Sequence, residues 1–412
     1  MISNKTFVMA SDLRGLSQLG FAAALGLTEL VEQMHCTISR APPPFGASVQ
    51  EPTSGVTGLV YHSIRTAMRL TGGGIDLALA LFGPRPQIAR SSRSRDAALA
   101  ALNGVLGDHL VETDNPLALP MQLRHEGHTL PLDGQSLSGA IPSPGKRLLV
   151  LVHGLCLSDL QWKREGHDHG ANLAQEFGFT SVYLYYNTGL HVSTNGRLFA
   201  SMLEKLVARW PAPIEDLVII GHSMGGLVAR SACHYGDVAG HCWRRRLHKL
   251  IFLGTPHHGA PLERVGNWIE LVVGKSPYTA AFTRLGKIRS AGISDLRHGN
   301  LVDEDWEGQD RFAHKNDSRT KVPLPRDVAC YAIAGTIARE TGGLSDRLVG
   351  DGLVPVASAL GHHRNAARAL PIPRDHQWIG RGLSHLDLLC RSDVYERIVG
   401  WLKPNRESGA PR

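Results

Sequence analysis

The sequence predicts an α/β fold: a mainly parallel sheet with helices on both faces, a helical N-terminal extension, and a helical insertion late in the chain. Three observations predict it. Continuous apolar, β-branched runs such as "KRLLVLVHG" (146–154) and "DLVIIG" (216–221) read as strands buried on both faces. Helix-compatible segments alternate with these runs from about residue 145 onward. The runs end on residues suited to a sheet rim, at His153-Gly154, Asn187, Gly221, Gly254 and Gly335. In a sheet of this kind a site forms outside the carboxyl ends of the strands, so those five ends should converge.

The chain has 412 residues, 42% of them hydrophobic, enough for one large domain with additions. Its formal net charge of +7 rests mostly on arginine clusters such as Arg244-Arg245-Arg246 and "RSSRSR" (90–95). That charge suits a solvated basic face or attraction to anionic headgroups. No nucleic-acid motif accompanies it, so a nucleic-acid partner is not expected. The six cysteines, at 36, 156, 233, 242, 330 and 390, form no CxxC pair. They read as free thiols in a reducing compartment, with an oxidised Cys233–Cys242 pair left open. The expected location is therefore cytoplasmic.

The N-terminal region, 1–115, reads as helical. Ser11 can cap a first helix that "RAPPPFG" (40–46) ends, because stacked prolines cannot continue it. A second helical stretch covers about 55–82, interrupted by Gly72-Gly73-Gly74, and a third covers about 95–110. Arg14 and Glu29 break the first apolar stretch, which reads as an amphipathic helix rather than a secretory leader. No uninterrupted apolar run reaches the ~20 residues a spanning helix needs. These helices are expected to cap the main domain or to touch a membrane surface.

The domain that follows, 116–402, opens with a hairpin in "MQLRHEGHTLPL" around Gly127. Strand "KRLLVLVHG", a helix at about 168–177, strand "SVYLYYN" and a helix at about 196–209 come next. "DLVIIGHSMGGLVARSA" (216–232) is strand, turn and helix; "HKLIFLGTPHHG" and "VACYAIAG" are further strands; a last helix spans about 392–402. Residues 403–412 read as a disordered tail. Between the last two strands, 260–327 is too long for a plain connection and reads as a helical lid.

Within "GHSMGG", Gly221, His222, Ser223, Met224 and Gly225 match G-x-S-x-G in the strand–turn–helix setting of a nucleophile elbow. The turn lifts the Ser223 hydroxyl above the sheet, and the following helix aims its positive end at the site. A serine hydroxyl needs a base, and the base an orienting acid. Asp351 in "GDGLVP" is the expected acid and Asp346 its rival. His385 in "GLSHLDLL" is the expected base; His376 is an alternative, and His362 and His363 read as surface residues. An oxyanion requires preorganised donors. The expected pair is the backbone N–H of Met224 and that of Leu155, with His153 structural. The pairs His257-His258 and His167-Asp168-His169 lack four-ligand zinc spacing, so neither metal nor cofactor is expected.

"LVLVHG", "GHSMGG", "LGTPHHG", "GDGLVP" and "SHLDLL", in this order over about 145–402, resemble the α/β-hydrolase lipases. They are closest to bacterial triacylglycerol lipases and to the lipase-like domain of GPI inositol-deacylases. The resemblance implies a Ser223–Asp351–His385 triad and an esterase acting on a lipid-like ester. In the Pseudomonas-type lipases the position of Asp387 ligates calcium, but Arg391 replaces that family's neutral oxygen donor, which puts calcium in doubt. Acyl transfer, thioester cleavage, or a non-catalytic membrane-associated scaffold are the competing readings.

Overall fold

The computed structural model describes residues 10–40, 55–82, 93–261, 264–266, 290–308, 317, 319–338 and 350–403. These form two compact units, one of residues 1–92 and 110–118 and one of residues 93–109 and 119–412.

The first unit is built on two long helices, α1 (Ala10–Arg40) and α2 (Gly55–Phe82). Arg14 holds Asp76 through Nε at 2.6 Å and Nη2 at 2.9 Å, and Gln18 donates to the same carboxylate at 2.6 Å. The expected interruption at Gly72–Gly74 does not occur, and α2 runs through it. Packing overrides the ~1 kcal/mol propensity cost of each glycine. At Gly72 a side chain would come within 2.9 Å of the Phe21 ring, so the helices touch where the residue is small. Outward, α2 presents Leu70 and Leu77 to solvent. No described helix is long and apolar enough to cross a membrane.

The second unit carries α3 (Arg93–Glu112, by its part up to His109), β1 (Gln122–His125), β2 (His128–Thr129), α4 (Gly134–Ala140) and β3 (Arg147–Val152). After β4 (Lys163–Arg164), β5 (His167–Asp168), α5 (His169–Phe177) and β6 (Phe179–Tyr185) come α6 (Val192–Arg209), β7 (Asp216–His222) and α7 (Met224–Val238). Then follow β8 (Leu247–Leu253), α8 (Ala291–His298), β9 (Ala329–Thr336), α9 (Val356–Ala359), β10 (Gln377–Arg381) and α10 (Ser392–Leu402).

Eight strands make one sheet in the order β10-β9-β8-β7-β3-β6-β1-β2. The hairpin strand β1 is antiparallel to β6, and the run from β6 to β10 is parallel. This is the α/β-hydrolase fold expected from sequence, with helical crossovers between the parallel strands. Leu148 to Val152 of β3 and Leu217 to Ile220 of β7 are fully buried, as central strands covered on both faces must be. Chain order runs from β3 outward to β6 and then back to β7 on the other flank of β3. The crevice between β3 and β7 is thus the switch point at which such sheets place a site.

One strand of the eight-stranded sheet was not expected, nor was the separate ribbon of β4 and β5. "QWIGR" is short and interrupted by Gly380, so it shows no strand period, yet it adds to the edge as β10. Cys233 and Cys242 are free thiols, which closes the disulfide alternative. Of the expected lid, 262–263, 267–289, 309–316 and 318 lie outside the described residues, as do the tail from 404 and Asp346.

Candidate active site

The register across the switch point brings two loops together. Val152 of β3 pairs with Gly221 of β7, so the residues that follow each leave the sheet side by side. After β3 come Gly154 and Leu155; after β7 comes Ser223. Ser223 adopts φ 55 and ψ −127, a left-handed region costly for any side chain. Its N–H is tied to Leu253 O at 2.8 Å, and its carbonyl accepts from Gly226 at 3.0 Å. The glycines of the motif are required by close approach: a Cβ on Gly225 would lie 2.2 Å from Val152 O, and one on Gly221 2.6 Å from Gly226 Cα. A Cβ on Gly154 would lie 2.8 Å from Ser223 Cβ. The loop carrying Leu155 is therefore pressed against the serine. Helix α3 presses on that loop in turn, since a side chain at Gly104 would meet Cys156 Sγ at 2.3 Å.

Asp351 and His385 are both fully buried and joined by a 2.7 Å hydrogen bond from His385 Nδ1 to Asp351 Oδ2. The other carboxylate oxygen accepts two backbone N–H groups, from Leu353 at 3.0 Å and Val354 at 2.8 Å. The His385 N–H also donates to Asp351 O at 3.0 Å, so the two loops are tied by backbone as well as side chain. Asp387, considered for calcium, is engaged locally: its Oδ2 accepts from Ser384 N at 2.7 Å and closes the His385 turn.

Two buried histidines hold that turn from the sheet side. His222 donates through Nε2 to His385 O at 3.0 Å, with the ring centroids 4.6 Å apart. The loop carrying His385 thus sits directly beside the residue preceding Ser223. His169 donates through Nε2 to Leu388 O at 3.0 Å. His169 Nδ1 accepts from His167 Nε2 at 2.7 Å, and His167 Nδ1 accepts from Asn172 at 3.0 Å, which sets every tautomer in the chain. Burial pushes His169 down to about 3 and His222 well below the usual imidazole range. Sequence reasoning treated His169 only as a rejected metal ligand and His222 only as an elbow position. No local pattern marks a histidine that donates to a carbonyl more than a hundred residues away.

The alternative base, His376, is placed elsewhere. It precedes β10, its Nδ1 bonds Cys330 O at 3.1 Å near the start of β9, and its ring stacks on Tyr331. That is the opposite end of the strands from Ser223. His153, read as structural, stacks on Tyr186 and bonds Gly154 O at 3.0 Å. Among the described residues no group of three or more His, Cys, Asp or Glu side chains is disposed to hold a metal ion.

His153, His169, His222 and His257 are all buried and kept neutral by burial, His153 being pushed down to about 4. Above pH 6.5 they are neutral in both folded and unfolded chains and contribute no pH dependence. Below it the unfolded chain binds protons that the folded chain refuses, until near pH 4 for His153 and near pH 3 for His169. Stability is then lost at up to about 1.4 kcal/mol per histidine per pH unit. The melting temperature is expected to fall by roughly 10 °C between pH 7 and pH 5; a flat profile measured by circular dichroism would contradict the buried neutral assignments.

Residues 146–323 match the family described as PGAP1-like alpha/beta domain. Among solved structures, the mature Bacillus licheniformis lipase BlEst2 is 17% identical over 64% of this chain and 94% of its own, with a TM-score of 0.41. The Pyrococcus furiosus esterase Pf2001 is 13% identical over 63% and 80%, with a TM-score of 0.36. Phospholipase PlaB from Legionella pneumophila is 18% identical over 52% of this chain and 43% of its own, with a TM-score of 0.32. No curated protein matches the chain significantly.

Proposed function

We propose that this α/β-hydrolase-fold chain is a serine hydrolase cleaving carboxylic esters of lipid-like substrates. The nucleophile is Ser223, the base His385 and the orienting acid Asp351. The observation that carries the reading is the buried 2.7 Å Asp351–His385 hydrogen bond, tied through His222 to the tip of the central strand, which carries a serine in left-handed backbone geometry. In acylation, His385 Nε2 takes the Ser223 proton as Oγ attacks the ester carbonyl. Asp351 keeps the proton on Nδ1 and stabilises the imidazolium that forms. The oxyanion is received by the N–H groups of Met224, at the start of α7, and Leu155. The alcohol leaves with the proton from His385, and water activated by the same ring releases the acid.

An apolar acyl chain is supported by the residues at the two donor positions, both with apolar side chains, and by α8, where a Cβ on Gly292 would lie 3.1 Å from the Met224 methyl group. A series of p-nitrophenyl esters from C2 to C16 tests the reading. Turnover is expected throughout, rising toward medium or long chains, together with stoichiometric labelling by a fluorophosphonate. No turnover on any ester and no labelling would refute it.

A further inference from the structure

Seven residues past Ser223, α7 buries an arginine that the ester chemistry does not use. Arg230 is 4% exposed. Its Nη2 donates to Val322 O at 2.7 Å and its Nη1 lies 3.3 Å from His257 Nδ1, while Nε has no hydrogen-bond partner. Among the described residues no carboxylate forms an ion pair with it. A buried guanidinium is expensive unless an anion faces it, and it is the side chain best matched to a planar or tetrahedral oxyanion.

The surroundings deepen that imbalance. Arg230 lines a cleft of about 320 Å³ together with His257, Arg319, Lys321 and Arg368, and among the described residues no Asp or Glu lines it. Behind the wall, among the described residues, Asp305 accepts from Thr320 N through Oδ1 at 2.7 Å, and Asp317 is shared by two of the cations. Asp317 takes both Arg319 Nε at 2.8 Å and Arg319 Nη2 at 2.9 Å, and lies 3.2 Å from Arg368 Nη1. Neither carboxylate forms an ion pair with Arg230 or Lys321. Burial pulls Arg230 down to about 10, and the cation beside it helps hold His257 neutral, with burial the larger cause. A neutral His257 keeps the cleft from adding a further charge.

We propose that this cleft is an anion site for a phosphate group, with Arg230 at its floor and Lys321 and Arg368 at its mouth. A dianion answers the two cations left without an ion pair, and charge-assisted donors of this kind grip phosphate oxygens. The floor lies about 10 Å along α7 from Ser223. His257 belongs to the loop that leaves β8 at Gly254, where a Cβ would come 3.1 Å from His385 Cε1. The cleft therefore borders the rim that carries the reacting groups. The phosphate is either free in solution or part of the ester substrate; only the second source rests on the hydrolase reading.

Calorimetric titration of the full chain with inorganic phosphate, at constant ionic strength in chloride, tests the site directly. Saturable binding is expected, weakened about tenfold or more in Lys321→Gln, Arg368→Gln and Arg230→Gln, the loss of one charge-assisted contact. Arg230→Gln removes a buried contact to Val322 and is checked for folding by circular dichroism; the exposed Lys321→Gln keeps the test independent of it. Hydrolysis of dihexanoyl phosphatidic acid and of dihexanoylglycerol separates the sources. A fall in the ratio of their kcat/KM values in Lys321→Gln assigns the phosphate to the substrate; an unchanged ratio with weakened phosphate binding assigns it to free phosphate. Absent binding by the unmodified protein, or equal affinity in all three variants, overturns the proposal and leaves Arg230 as a tie between α7 and Val322. Failure of the hydrolase reading would instead show as no turnover on either ester with the calorimetry intact.

Discussion

Ser223→Ala is expected to lower kcat on a C8 ester by at least about 10,000-fold, with the fold intact and fluorophosphonate labelling abolished. The effect should be this clean because the hydroxyl has no structural task in the turn. Ser223 stands at the N-cap of α7 but makes no side-chain capping hydrogen bond. Removing its oxygen therefore forfeits none of the ~1 kcal/mol that a serine cap commonly contributes. Alanine also leaves the backbone strain as it was, since any Cβ suffers equally at φ 55. Glycine does not. Ser223→Gly should relieve strain of about 1–3 kcal/mol, less the ~0.5–1 kcal/mol entropic cost of glycine, and so melt a few degrees higher while being equally inactive. An alanine variant with more than a hundredth of the parent activity would place the nucleophile elsewhere. A glycine variant no more stable than the parent would mean that the turn stores no strain.

The strand–turn–helix that carries Ser223 was legible in the sequence because its determinants are local. An apolar strand, two obligatory glycines and a helix all lie within "DLVIIGHSMGGLVARSA", and each has a backbone reason to be there. The parallel sheet was legible for the same cause: strands buried on both faces must be apolar throughout. What the sequence left open depends on contacts between distant segments. His376 and His385 both follow Asp351 on polar or loop-like stretches, and choosing between them requires the direction of β10. "QWIGR" hides that strand because Gly380 breaks its pattern. The glycine triplet of α2 misled in the opposite sense, since propensity argued for a break that helix packing overrides. His169 and His222 act on carbonyls of the 385–388 turn, a relation visible only once α5, β7 and that turn are packed together. Arg230 belongs to the same class: nothing in "VARSA" distinguishes a buried arginine from an exposed one.

The second large effect falls on Asp351 and follows from how its two oxygens are divided. Oδ1 is committed to the N–H groups of Leu353 and Val354, and Oδ2 to His385 Nδ1. In Asp351→Asn the amide must be oriented one way or the other. Two backbone donors demand an acceptor, so the amide oxygen takes the Oδ1 place and the NH2 group turns toward His385. An NH2 group cannot accept the Nδ1 proton. His385 is then driven to the tautomer that carries its proton on Nε2, where it cannot take one from Ser223. A loss of about 10,000-fold in kcat is expected near neutral pH, with KM little changed, because the substrate still meets the same pocket and the same oxyanion donors. Asp351→Ala removes the acid but imposes no tautomer, so it should retain more activity than the asparagine despite being the larger truncation. It should also melt lower, since the N–H groups of Leu353 and Val354 lose their buried acceptor at about 1–3 kcal/mol each. The ranking of the two variants in rate, opposite to their ranking in structural damage, separates an acid that sets a tautomer from one that only braces a loop. Equal rates for the two would favour the brace.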